Sequence, residues 1–248
     1  RMFPSRTWTT TGLLTLWAAE ALAQAAPPVL APFSASAGTT LPAAWRAVGL
    51  PQGKAPLAQM DVTPLDGARV LRLQTDKSYG TLIHAVSAWT PGPDASLQWR
   101  WRLDTPLAQP DLRSKASDDA ALKVCVMYDM PLDGIPFLER NLLRLARSVS
   151  GEALPSATVC YVWDATLVRD TVLSNVYSGR VRYIVLDGQG STLGQWRAHQ
   201  RNLAADFMRL FRAESKTLPP VSAVAVGADA DNTGGHSLAY LSDIQLRP

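Results

Sequence analysis

The residues best suited to chemistry lie near the C-terminus, in Asp229-Ala-Asp231-Asn232-Thr233-Gly234. Clustered carboxylate, amide and hydroxyl oxygens are what a hard cation such as calcium takes as ligands. The run copies the start of an EF-hand loop, but its twelfth position is Tyr240, where a bidentate Glu belongs. Calcium would therefore need a distant donor such as Asp243. In the competing reading these side chains cap their own turn by hydrogen bonds. The expectation is no cofactor, with structural calcium at Asp229, Asp231, Asn232 and Asp243 as the alternative.

Carboxylates for acid–base work are plentiful. A glycoside hydrolase needs two that face each other about 5–10 Å apart. Asp129 and Asp164 end two strand-like runs, which makes them the catalytic candidates; Asp118-Asp119 reads as a solvated loop. His84, His199 and His236 have no ligand spacing and read as structural. No nucleophile elbow and no cofactor fingerprint occurs. Cys125 and Cys160 each sit inside a strand-like run, and two readings stay open for them. They are either a bridge between paired strands or two buried thiols.

These groups must be carried by β structure. In Leu97-Gln-Trp99-Arg-Trp101-Arg-Leu103 every second residue is apolar, the period of a half-buried strand. Two indoles on one strand need a broad partner surface, which a second sheet provides. Further strands are predicted over 69–75, 80–86, 120–129, 158–163 and 180–186. The spacing of Leu138, Leu142, Leu145 and Val149 predicts a helix over 137–150, with Arg140, Arg144 and Arg147 on another face. A second short helix is predicted over 202–211. The closing segment, 221–246, reads as strand, polar turn, strand, a final hairpin. In its second strand Leu238, Tyr240, Ile244 and Leu246 share one face. Many strands joined by turns, with two short helices, indicate a mainly β fold: a single antiparallel β-sandwich.

The chain has 248 residues, 47% hydrophobic and 18% charged, which suits a sizeable core. A net charge of +3 with scattered Lys and Arg excludes a nucleic-acid partner. Arg1, Arg6, the apolar run Gly12–Leu22 and the small residues Ala23 and Ala25 follow the pattern of a signal peptide over residues 1–25. That run is shorter than the roughly 20 residues a membrane span needs, so no span is expected after leader cleavage. The organisation expected is leader 1–25, flexible arm 26–39 and one domain 40–248, in a periplasmic or secreted protein.

Several motifs occur in the order of a known family: Gly49-Leu-Pro51, Leu97-Gln-Trp-Arg-Trp101, Lys123-Val-Cys-Val-Met-Tyr-Asp129, Tyr161-Val-Trp163, Asn175-Val-Tyr177, Leu193-Gly-Gln-Trp196, Arg201-Asn202, Asp206-Phe207 and Asp229-Ala-Asp-Asn-Thr-Gly234. On these the chain resembles the bacterial exported family filed as domain of unknown function 3047 (DUF3047), over about 40–246. The resemblance implies a jelly-roll sandwich like that of carbohydrate-binding modules, and no established reaction. Where the family usually has Arg and Asn, this chain has Lys123 and Cys160, so a polar site that used them is altered here. Cys125 departs from the family pattern as well, and two departures to cysteine favour the bridge.

The function implied is a non-catalytic module that binds a glycan or cell-envelope polymer. Its ligand-binding candidates are Tyr128, Tyr161, Trp163, Tyr177, Trp196 and Lys123. The alternatives are a polysaccharide-active enzyme using Asp129 and Asp164, and an envelope interaction protein docking through the 138–149 helix.

Overall fold

The computed structural model describes residues 25–150 and 153–248. The expected leader, but for Ala25, lies outside them. Among the described residues the strands are β1 (Trp45–Val48), β2 (Gln59–Leu65), β3 (Ala68–Asp76), β4 (Tyr79–Trp89), β5 (Ser96–Thr105), β6 (Ala120–Tyr128), β7 (Ala157–Trp163), β8 (Val172–Ser174), β9 (Val181–Asp187), β10 (Arg197–Asn202), β11 (Val221–Asp229), β12 (His236–Leu241) and β13 (Gln245–Arg247). Two helices, α1 (Phe137–Ser150) and α2 (Leu203–Phe211), complete the fold.

The strands form two sheets. One runs β1-β4-β11-β6-β7-β9-β8; the other runs β10-β5-β12-β3-β2, with β13 also paired to β5. Their inner faces share one core, in which Leu97, Trp99, Trp101 and Leu103 of β5 meet Val124, Val126, Tyr161 and Trp163 of the opposite sheet. This is the expected sandwich, with the β5 indoles inward. One pair departs from the antiparallel pattern: β7 and β9 run parallel. The chain returns through the short edge strand β8, so β9 enters between β8 and β7 in the direction of β7.

Three local expectations need correction. The 26–39 segment is packed rather than a free arm: Phe33 is buried and stacks on Trp45, whose indole N–H donates to the Ala31 carbonyl at 2.8 Å. The closing strands are not a hairpin, because β11 is interior to one sheet and β12 to the other. The polar turn between them therefore crosses from one sheet to the other at the end of the sandwich. The face of β12 is also reversed. Ser237, Ala239 and Leu241 are buried, while Leu238 and Tyr240 are half-exposed. The strand breaks over Ser242–Ile244, and the phase shifts before Leu246 turns inward in β13.

Candidate functional site

The outer face of the seven-stranded sheet is hollow. On its interior strand β11 the outward residues Ala223, Ala225 and Gly227 carry one carbon or none beyond the backbone, while β4 raises Tyr79, β6 raises Lys123 and Met127, and β9 raises Tyr183. The result is a cleft of about 730 Å³, within the range of small-ligand sites. Its floor holds Cys125 and Cys160, directly opposite each other in the β6–β7 register and joined by a disulfide. Gly227 is needed for space rather than for its backbone angles. A Cβ there would lie 2.9 Å from Thr81 Oγ1 and 3.0 Å from Lys123 Cε. The stem of Lys123 crosses at that point and its ammonium donates to Asp229 at 2.6 Å. Burial disfavours the ammonium, but the charge of Asp229, the nearby Tyr79 and Tyr183 and the bond to Asp229 together outweigh it and hold Lys123 above the ordinary lysine range.

At the β11 end the cleft turns acidic. Asp229 also accepts from the Ala120 amide at 2.6 Å. Asp231 lines the cleft and forms no ion pair among the described residues. Burial, then the charge of Asp119, push its carboxyl upward. Asp118 is 8% exposed. One of its oxygens accepts from Asn175 Nδ2 at 2.9 Å; the other has no partner. Burial, with the nearby charge of Asp229, pushes the Asp118 carboxyl up to about 6.

Opposite stands the 175–178 turn. Asn175 donates to the Tyr183 hydroxyl at 2.9 Å and its own oxygen accepts from the amides of Tyr177 and Ser178. Tyr177 is 60% exposed at the rim. Its hydroxyl donates to the Lys115 carbonyl at 2.8 Å, and the Lys115 ammonium lies 5.4 Å from its ring centroid. Both contacts fix the ring before any ligand arrives.

The sequence candidates divide. Lys123 and Tyr177 line the cleft. Tyr128, Tyr161 and Trp163 do not: they are buried on the inner face of the same sheet. Successive side chains of a strand alternate between faces, so Lys123 and Tyr128, five apart on β6, must point opposite ways. Tyr161 donates to Asp206 at 2.9 Å, and Arg201 grips the same carboxylate with two bonds. These motif residues tie α2 to the core. Trp196 precedes β10 beside the other sheet, where its indole N–H donates to Asp66 at 2.8 Å and Arg100 covers its ring.

Asp129 and Asp164 are not a facing pair. β6 and β7 are antiparallel, so their C-terminal residues leave at opposite ends. About eight residues of strand, roughly 26 Å, separate them. Asp164 is buried and accepts from the amides of Thr166 and Leu167, capping its own turn.

The calcium set is not assembled either. Asp243 accepts from Ser34 at the far edge. In the 231–234 loop the amides of Asn232 and Thr233 and the Thr233 hydroxyl donate to the Asp119 carboxylate, at 3.1, 2.7 and 2.6 Å. The loop presents donors to an anion, the reverse of a cation site. Among the described residues no group of three or more His, Cys, Asp or Glu is placed to hold a metal. Asp231 is a calcium candidate in the sequence reading and instead lines the cleft; Asp118 and Asn175 carry no signal that marks them as binding residues.

A family model described as "Protein of unknown function (DUF3047)" matches residues 43–245. No curated protein matches the chain significantly. Among solved structures, the family 11 carbohydrate-binding module of a Clostridium thermocellum cellulosomal cellulase aligns over 90% of this chain and 96% of that one, at 6% identity and a TM-score of 0.42. The xyloglucanase domain of NopAA, a Sinorhizobium fredii effector, aligns over 84% and 96%, at 10% and 0.41. The K1 adhesin domain of Lys-gingipain from Porphyromonas gingivalis W83 aligns over 88% and 95%, at 12% and 0.36. Likenesses this distant say nothing of what this chain binds.

Proposed function

The chain belongs to the DUF3047 family, and we propose that it is a non-catalytic module binding a glycan or cell-envelope polymer in the cleft on its seven-stranded sheet. The observation that supports this reading most directly is the lining. Tyr177, held from two sides, offers an aromatic face at the rim, while Asn232, Lys123, Asp118 and Asp231 offer hydrogen-bonding groups around a shallow apolar floor. A sugar ring has one apolar face and a rim of hydroxyls, which is the complement of that arrangement. The reading places the protein outside the cytoplasm, in the periplasm or secreted. Two features support the address: the disulfide in the cleft floor, since such bonds persist in oxidising compartments, and the leader-like pattern of residues 1–25. Among the described residues no helix is long and apolar enough to cross a membrane.

The test is retention of purified envelope polysaccharides and an array of glycans by the intact protein, against a variant in which Tyr177 and Lys54, which also lines the cleft, are both replaced by Ala. Retention lost in the variant supports the reading. Failure to retain any polymer, or equal retention by both proteins, overturns it.

One observation favours a second reading, an enzyme. Asp118 has a carboxyl raised to about 6, suited to donating a proton near neutral pH, and Asp231 lines the same cleft. If polymers that bind are also cleaved, and Asp118→Asn abolishes cleavage while binding persists, the module reading gives way to this one.

A further inference from the structure

Helix α1 is turned inside out. Its apolar stripe, Leu138, Leu142, Leu145 and Val149 with Phe137 at the start, is 58–80% exposed; Leu143 is its one buried hydrophobic residue. The helix is held by its polar side instead. Glu139 pairs with the buried Arg180, and the Arg147 guanidinium donates twice to the Leu154 carbonyl, at 2.8 and 2.6 Å. Large aliphatic side chains gathered on one outward stripe mark a surface that something covers.

We infer that this stripe seats the protein on an anionic lipid surface, with α1 lying in the plane of the headgroups. Size argues against a second copy of the chain. Fourteen residues make a helix about 21 Å long and about 10 Å across, so the stripe offers on the order of 300 Å². A stable dimer takes about 800 Å² from each partner. A bilayer needs no complementary shape and accepts a stripe of this size. Charge argues for anionic lipid. Arg147 is spent on the Leu154 carbonyl and Arg140 Nε is buried, which leaves Arg144 as the outward cation of the helix, while its acid, Glu139, is committed to Arg180. Arg144 is exposed and forms no ion pair among the described residues. An amphipathic helix with Phe and Leu on one face and Arg on another lies at the membrane interface and favours acidic headgroups.

The test is co-sedimentation of the intact chain with vesicles of phosphatidylcholine alone, or of phosphatidylcholine with phosphatidylglycerol. The wild-type protein is expected to pellet with the anionic vesicles and to be released by salt. The Leu142→Glu, Leu145→Glu variant should bind at least tenfold more weakly, and Arg144→Glu should lose part of the preference for phosphatidylglycerol. Residues 1–24 are common to all three proteins, so they do not produce the difference. The changed side chains are exposed, and an unaltered near-ultraviolet circular dichroism spectrum confirms that the fold persists. The inference is overturned if the wild-type protein stays in the supernatant, or if it and the double variant pellet alike. It is also overturned if the chain elutes as a dimer that the double variant splits.

Discussion

Two buried carboxylates set the two halves of this molecule against each other. Asp187, at the end of β9, has no exposed surface and is surrounded by donors. It accepts from the Trp101 indole at 2.7 Å and from His199 Nε2 at 2.8 Å, and from Arg197, Ser191 and Arg169. Asp118, beside the cleft, is nearly as buried but has Asn175 alone, and one of its oxygens is bare. Burial raises both acids. At Asp187 the bonds from His199 and Trp101 and the charges of His199 and Arg197 outweigh burial and hold it below its ordinary 3.8. At Asp118 burial wins, with Asp229 adding to it, and the carboxyl rises to about 6. A saturated buried charge belongs to the scaffold; an undersupplied one beside a cleft is where a ligand's donors would be favourable.

The largest effect expected follows from breaking the saturated cluster. Asp187→Ala strands His199 and Arg197 against the core and should cost about 3–5 kcal/mol of stability in urea unfolding. A loss below about 1 kcal/mol would remove the contrast between the two sites. The cluster also has a pH signature: the folded pKa is depressed, so its contribution holds above 3.8 and fades as pH falls further. The next effect is at the cleft floor. Joining positions 35 residues apart restricts the unfolded chain, and replacing Cys125 and Cys160 together by Ala should cost about 2–4 kcal/mol. Unfolding with and without reductant measures the same quantity in the native protein.

The two sites were unequally legible. β5 could be read because its alternation is strict, and α1 because its leucines recur at helical spacing, although spacing alone does not say whether the stripe faces in or out. β10 was invisible: Arg197-Ala-His-Gln-Arg-Asn has no apolar side, because His199, Arg197 and Arg201 reach instead for Asp187 and Asp206. β2 did leave a signal in Asp66-Gly67, whose positive φ angles of 51° and 80° make the tight turn into β3. Strand parity could also have parted Lys123 from Tyr128. The cleft itself was hidden, because Asp118, Asn175 and Asp231 come from three distant segments. Periodicity also does not reveal that β11 and β12 enter different sheets.

Relieving the undersupplied acid should act in the opposite direction from breaking the saturated one. The folded pKa of Asp118 lies above its ordinary value, so stability falls as pH rises from 3.8 to about 6. About two units correspond to about 3 kcal/mol at most. Asp118→Asn should therefore stabilise the protein by about 1–3 kcal/mol at pH 7, with the gain vanishing below pH 3.8. Thermal unfolding across pH measures both. A destabilised variant at neutral pH would mean that Asp118 belongs to the scaffold after all.

The smallest effect on stability carries the sharpest test of the cleft. Tyr177 buries little, so Tyr177→Ala should change unfolding free energy by less than about 0.5 kcal/mol. Its ring is nonetheless held by the Lys115 carbonyl and ammonium, so no ordering is required of it when a ligand stacks. Losing one aromatic contact of about 1–1.5 kcal/mol should raise the Kd for a retained glycan about tenfold. Tyr177→Phe keeps the face but loses the bond to Lys115, and should fall between the two. Were Tyr177→Ala to bind as the native protein does, the rim would be ordinary surface. The deficit at Asp118 would then need an explanation that does not involve a sugar.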